Sequence, residues 1–212
     1  GEGALWPTSE DVVKHATPDE VETEIRAQIE RARTLGFEPT HLDTHMGVLL
    51  ASPEFTQRYI QVGIEHKIPV MYPAGHMSMI NQYMKNTPEQ MDIIQQNGKM
   101  LWDAGLPVLD DLHAASYGFT YPKDKNISDA ELQKLATGQY KYTIDMLKPG
   151  LTMVIMHCTA PSEVFPYITD SERLRKADLL AMLDPEFKKY LQSQKIILTT
   201  WRELKQRRAA VK

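Results

Sequence analysis

Thr40-His41-Leu42-Asp43-Thr44-His45-Met46-Gly47 closes an apolar segment with strand character, and within it two imidazoles and a carboxylate recur at every second position. In extended backbone alternate side chains share a face, so His41, Asp43 and His45 are expected to converge on one point at a strand end. Strand ends are where α/β proteins build their sites, and convergent His and Asp side chains are what a divalent metal requires. The same spacing also fits a buried histidine hydrogen-bonded to Asp43 with no metal at all.

Working outward, Thr17-Pro18-Asp19-Glu20, Thr87-Pro88-Glu89-Gln90 and Ser128-Asp129-Ala130-Glu131 each place a hydroxyl three residues before Glu or Gln. These are capping boxes, two of them with proline at the first helical position. Val21, Ile25, Ile29 and Ala32 then repeat at helical spacing until Gly36, which predicts an amphipathic helix over residues 18–35. Ser52-Pro53 opens another helix, with Phe55, Tyr59 and Val62 on its inner side. Short apolar runs at residues 38–42, 68–71, 107–109, 151–156 and 196–199 have strand character. Alternating strand and helix predicts an α/β fold with a mainly parallel sheet, and the uninterrupted series favours a (β/α) TIM-barrel-like arrangement. A helix precedes any strand, so the barrel is expected to be incomplete at its N-terminus.

The 212 residues, 42% apolar and 25% charged, suffice for one sizeable core, so a single domain spanning 1–212 is expected. The net charge of -4 supplies no basic field for a nucleic-acid backbone, and the one basic run, Lys205-Gln206-Arg207-Arg208 with Lys212, reads as a solvated tail. The single cysteine, Cys158, excludes an internal disulfide framework and a cysteine-cluster zinc site, and fits a reducing compartment. No apolar run reaches membrane-spanning length, and Gly1-Glu2-Gly3-Ala4-Leu5-Trp6-Pro7 lacks the regions of a signal peptide. A soluble, cytoplasmic protein is favoured, with export left open.

The second candidate for chemistry is Met156-His157-Cys158, which follows the most strand-like segment, Leu151-Thr152-Met153-Val154-Ile155. An imidazole at a strand end can accept or donate a proton near neutral pH. Cys158 lacks an identifiable base partner, and a buried thiol is usually inert. Asp110-Asp111-Leu112-His113 could contribute one carboxylate, although loop capping accounts for it more simply. His15, His66 and His76 read as ordinary surface histidines. Met71, Met77, Met79, Met84 and Met91 surround Tyr72-Pro73-Ala74-Gly75 and suit either a flexible lid or adaptable core packing. Arg173 and Asp178 could form an ion pair, and Trp201 could stack on a sugar or close the barrel floor.

Together these landmarks resemble the YdjC/ChbG-type carbohydrate (chitooligosaccharide) deacetylases. The matching pieces are Ile25-Arg26-Ala27-Gln28-Ile29-Glu30, Pro39 to Gly47, the strand ending at His157, the Arg173 to Asp178 segment and Trp201-Arg202. The resemblance runs along nearly all of the chain. It implies a (β/α) barrel related to polysaccharide deacetylases and a divalent metal cation, magnesium or zinc, held by one aspartate and two histidines. His45 matches one ligand; His41 and Asp43 would shape or orient the site. His157 matches a late histidine that serves as general acid or transition-state partner. The implied reaction is metal-dependent hydrolysis of N-acetyl groups on amino-sugar oligosaccharides.

The family's paired aspartates and its other histidine ligand belong on early strands, and neither motif is found in these residues. The resemblance therefore makes the chain the C-terminal portion of a longer deacetylase, and a chain starting at Gly1 is expected to be inactive or nearly so. A different barrel metallohydrolase, phosphoesterase or amidohydrolase, is one alternative. A non-catalytic sugar-binding barrel is another, and a homodimer is compatible with either.

Overall fold

The computed structural model describes residues 4–122 and 127–211. Gly1, Glu2 and Gly3 of the opening segment and Lys212 of the basic tail lie outside them. In chain order the helices are α1 (Ser9–His15), α2 (Pro18–Thr34), α3 (Pro53–His66), α4 (Asn81–Met84), α5 (Pro88–Asp103), α6 (Asp129–Ile144), α7 (Glu172–Leu183), α8 (Pro185–Ser193) and α9 (Trp201–Ala209). Strand β1 (Asp111–His113) precedes α6, and strand β2 (Thr152–Val154) follows it. Tighter 3-10 turns occupy His45–Leu50, Ala115–Gly118 and Phe165–Tyr167.

The expected capping boxes form at Thr17, Thr87 and Ser128, each hydroxyl accepting the N–H of the residue three positions on. A further box forms at Thr200 with Glu203. Each satisfies donors that a helix start would otherwise leave open. The α2 helix ends at Thr34, and Gly36, at φ +83, takes the left-handed turn that a side chain would resist.

The chain forms two compact units. One comprises Gly1–Gly75, Asn86–Leu109 and Thr199–Lys212. Its core joins Val21, Ile25 and Ile29 of α2 to Phe55, Tyr59 and Val62 of α3, over Ile68, Val70 and Leu101. Burying each isoleucine contributes about 1.5–3 kcal/mol. In this unit Leu42 pairs with Val70, and Pro73 with Leu109, through isolated parallel bridges. The expected strands at 38–42, 68–71 and 107–109 thus shrink to single bridged positions.

The other unit comprises His76–Lys85 and Asp110–Leu198. Here β1 and β2 run parallel, with Asp111 opposite Thr152, Leu112 opposite Met153 and His113 opposite Val154. Ala136 and Tyr140 of α6 meet Ala177 and Ala181 of α7, with Phe187 and Leu191 of α8 completing the core. Alanines at the crossing let α6 and α7 pack closely. The expected strand at 151–156 is present as Thr152–Val154. The expected strand at 196–199 is not among the strands or bridges of the described residues, and Ile197 and Leu198 stay 79% and 69% exposed, unlike parallel strands buried on both faces. The architecture is α/β with parallel pairing. Among the described residues no helix is long and apolar enough to cross a membrane.

Candidate functional site

In the first unit, the loop after Leu42 is braced before it carries any chemistry. Tyr59 donates its hydroxyl to the Leu42 carbonyl at 2.7 Å, and the Met71 N–H donates to the same hydroxyl at 3.0 Å. Buried Thr44 accepts the Leu49 N–H on its Oγ1 at 2.8 Å. Asp43 accepts the Thr44 N–H at 2.7 Å. His41 stacks on Trp201, ring centroids 5.0 Å apart and 12° from parallel. Burial pushes the His41 pKa down against the smaller upward pull of Asp43, which favours the neutral imidazole. Beside them lies a hollow of about 210 Å3 lined by Ile25, Ile29, His41, Asp43 and Tyr59.

His45 is exposed and begins the His45–Leu50 turn, where Met46 (φ 55) and Gly47 (φ 70) take left-handed backbone. Extended alternation stops at His45, so the rule that puts every second side chain on one face no longer applies there. Among the described residues no group of three or more His, Cys, Asp or Glu side chains is placed to hold a metal ion. The donors present therefore do not by themselves make a metal centre.

In the second unit, His157 follows β2 and is half-buried. Its backbone N–H donates to Asp178 Oδ2 at 2.8 Å, and the Tyr140 hydroxyl donates to Asp178 Oδ1 at 2.6 Å. Asp178 is 1% exposed, its bond from Tyr140 is buried and its bond from His157 part-buried, so the carboxylate has partners where water is largely excluded. Burial, then the bond to Asp178, raises the Tyr140 pKa well above the ordinary range. The Tyr117 ring lies 5.6 Å from the His157 ring. Asp178 serves Tyr140 and His157, while Arg173 donates to the Pro122 carbonyl. Cys158 is exposed, yet desolvation of its sulfur and the Asp178 charge raise its thiol pKa, which disfavours the thiolate a nucleophile needs.

Several other candidate side chains have structural roles, among them the loop capping and core packing expected for residues 110–113 and the methionines. Asp111, fully buried, accepts the Ser78 hydroxyl and the N–H groups of Met79, Ile80 and Leu112. It caps the turn before α4 from within a strand. His76 lies 3.4 Å from Asp111, His66 contacts Arg26 and Arg33, and His15 stacks on Trp6, so these three histidines have partners. Met71, Met77 and Met79 are core residues, whereas Met84 is exposed. His113 is fully buried, with neither ring nitrogen meeting a hydrogen-bond partner among the described residues. The sequence singled out Asp178 only as an ion-pair candidate for Arg173, with no signal linking it to His157, and Tyr117 left none.

A helix-covered parallel framework with an imidazole at a strand end defines an α/β protein of the kind that works at strand ends. The YdjC-like protein family model matches residues 1–193, and the chain belongs to the YdjC-like family. A carbohydrate deacetylase from Thermus thermophilus is 24% identical over 206 residues, 97% of this chain and 67% of that protein. A carbohydrate deacetylase from Brevibacillus brevis is 25% identical over 207 residues, 96% of this chain and 68% of that protein. A crystal structure from Enterococcus faecalis V583, provisionally described as a cellobiose-phosphate cleavage protein, superposes with a TM-score of 0.66 at 15% identity. It covers 96% of this chain and 67% of its own, and at that identity it speaks to the fold alone.

Proposed function

We propose that the protein is a metal-dependent carbohydrate N-deacetylase that removes acetyl groups from amino-sugar oligosaccharides, on a single (β/α) barrel-type domain. Family membership and the two deacetylase relatives support the substrate class. The observation that carries the reading is His157: an imidazole after a strand end, with its main chain clamped by a buried carboxylate. Amide hydrolysis needs a proton delivered to the departing amine as the C–N bond breaks, and imidazolium is suited to that near neutrality. His157 is the proposed donor, and Asp178 holds its backbone in place.

The metal, magnesium or zinc, is part of the proposal, with His45 as its ligand in this chain and His41 and Asp43 shaping the loop. Among the described residues no group of three or more His, Cys, Asp or Glu side chains stands ready to hold it. Arg173 and Trp201 are proposed to contact or frame the sugar. A homodimer and a cytoplasmic location complete the reading.

The test starts from protein purified from its natural source, whose intact mass is read before assay. Incubated with N-acetylglucosamine oligosaccharides, it should release acetate, lose that activity to a chelator and regain it with a divalent cation. His157→Ala should abolish release. Phosphate release from sugar phosphates without acetate release would replace this reading with the phosphoesterase one.

A further inference from the structure

Tyr117 sits on the Ala115–Gly118 turn immediately after β1 and is 63% exposed, while its neighbours Ala115 and Ser116 are buried. The turn is therefore anchored from inside and presents one large aromatic ring to solvent. Ser116 donates its hydroxyl to the Ile155 carbonyl at 2.8 Å, two residues before His157. The Phe119 N–H donates to the Ser116 carbonyl at 3.1 Å, and the Phe119 ring meets Tyr140 edge-on, centroids 4.9 Å apart. Tyr140 in turn donates to Asp178, which accepts the His157 N–H. Contacts thus run in a closed circuit from His157 through Asp178, Tyr140, Phe119 and the turn to Tyr117, whose ring returns to within 5.6 Å of His157 at a 53° tilt.

From this circuit we infer that Tyr117 is a stacking platform for the pyranose ring whose acetamido group His157 serves. The inference rests on the deacetylase reading. A pyranose presents a face of C–H bonds, weakly positive at hydrogen, and an aromatic ring presents a negative face to receive it. The sugar would cover ring surface now in water, and a ring fixed by a braced turn loses little freedom on binding. The placement also supplies orientation: a sugar lying on Tyr117 holds its ring substituents beside the imidazole. The proposed contact is with the ring face rather than a bond to the phenol, which makes the hydroxyl dispensable and the ring not.

Acetate release by the natural-source protein, measured over a range of N,N′-diacetylchitobiose concentrations, tests this with Tyr117→Phe, Tyr117→Leu and Tyr117→Ala. Phe should leave KM within about twofold, whereas Leu and Ala should raise it about tenfold with a smaller change in kcat. An exposed position tolerates all three substitutions without loss of folding, which a thermal melt verifies. No acetate release by the unsubstituted protein would overturn the deacetylase reading and this inference with it. Normal release with an unchanged KM for Tyr117→Leu would overturn the platform alone.

Discussion

The buried carboxylate of Asp178 accepts the backbone N–H of His157 at 2.8 Å. Through that bond helix α7 fixes the point where the chain leaves β2. Its other oxygen takes the Tyr140 hydroxyl at 2.6 Å, so one side chain ties α6, α7 and the candidate acid together.

Removing that carboxylate should cost stability and activity together. Asp178→Ala leaves the buried Tyr140 hydroxyl and the half-buried His157 N–H unpaired, the first worth about 1–3 kcal/mol and the second less, partly offset because a charge no longer has to be desolvated. The expected net loss is about 2 kcal/mol, with a smaller loss for Asp178→Asn, which keeps an acceptor oxygen toward one of the two donors and turns an NH2 toward the other. Urea unfolding midpoints measure it, and an unchanged midpoint for the alanine variant would show that the clamp is incidental.

His113 predicts an acid limb in stability. Burial, opposed by smaller upward contributions, depresses its pKa in the folded protein. Below about pH 6.5 the unfolded chain takes up a proton there that the folded chain resists. This stability is therefore present above the unfolded pKa and lost as pH falls through the depressed folded value. His41, also depressed by burial, adds to it. His113→Leu removes both the titration and two unpartnered ring nitrogens, so the acid limb should flatten while stability at pH 7 is equal or higher. Denaturant titrations from pH 5 to 8 would expose a wrong sign directly.

How far these features could be read from sequence depends on how local their causes are. The Thr17, Thr87 and Ser128 capping boxes are legible because a hydroxyl, three intervening residues and a carboxylate or amide settle a helix start by themselves. Strand extent is not local. Residues 38–42 carry the right apolar pattern, yet only Leu42 finds a partner, in Val70, because pairing depends on what lies alongside. The error runs the other way at Asp111–His113, whose polar ends hide a strand. Asp111 tolerates full burial only because Ser78 and two backbone N–H groups converge on it from a distant turn, beside the Leu112 N–H of its own strand. At the site, His157 is legible from the strand before it. Asp178 and Tyr117 are not, since their meaning comes from α6, α7 and the turn after β1.

Two glycines separate packing from propensity. A Cβ on Gly63 of α3 would lie 2.4 Å from Val70 Cγ1 and 3.1 Å from the Ile68 carbonyl oxygen. Helix propensity favours alanine by about 1 kcal/mol, but forced repacking costs about 1–3 kcal/mol. Contact with backbone makes the larger cost apply, so Gly63→Ala should destabilise. Gly138 of α6 has nothing within 4 Å of such a Cβ, and Gly138→Ala should stabilise by roughly 0.5–1 kcal/mol. Equal effects at the two positions, read from urea midpoints, would contradict the packing around Val70.

The His-Leu-Asp-Thr-His stretch yields a prediction that separates a ligand from its scaffold. His41 is stacked on Trp201 and held near the Thr40 hydroxyl at 3.1 Å, so His41→Ala opens a gap against an indole and should destabilise by about 1 kcal/mol. His45 is exposed at the start of its turn, and His45→Ala should change stability by no more than about 0.5 kcal/mol. If His45 is a metal ligand, the natural-source protein carrying His45→Ala should lose its divalent cation on dialysis, while His41→Ala retains most of it. Elemental analysis of both variants, run beside their unfolding curves, reads the two effects separately. Metal content unchanged in His45→Ala, or lost equally in both, would remove His45 from the ligand set and return the stretch to a purely structural role.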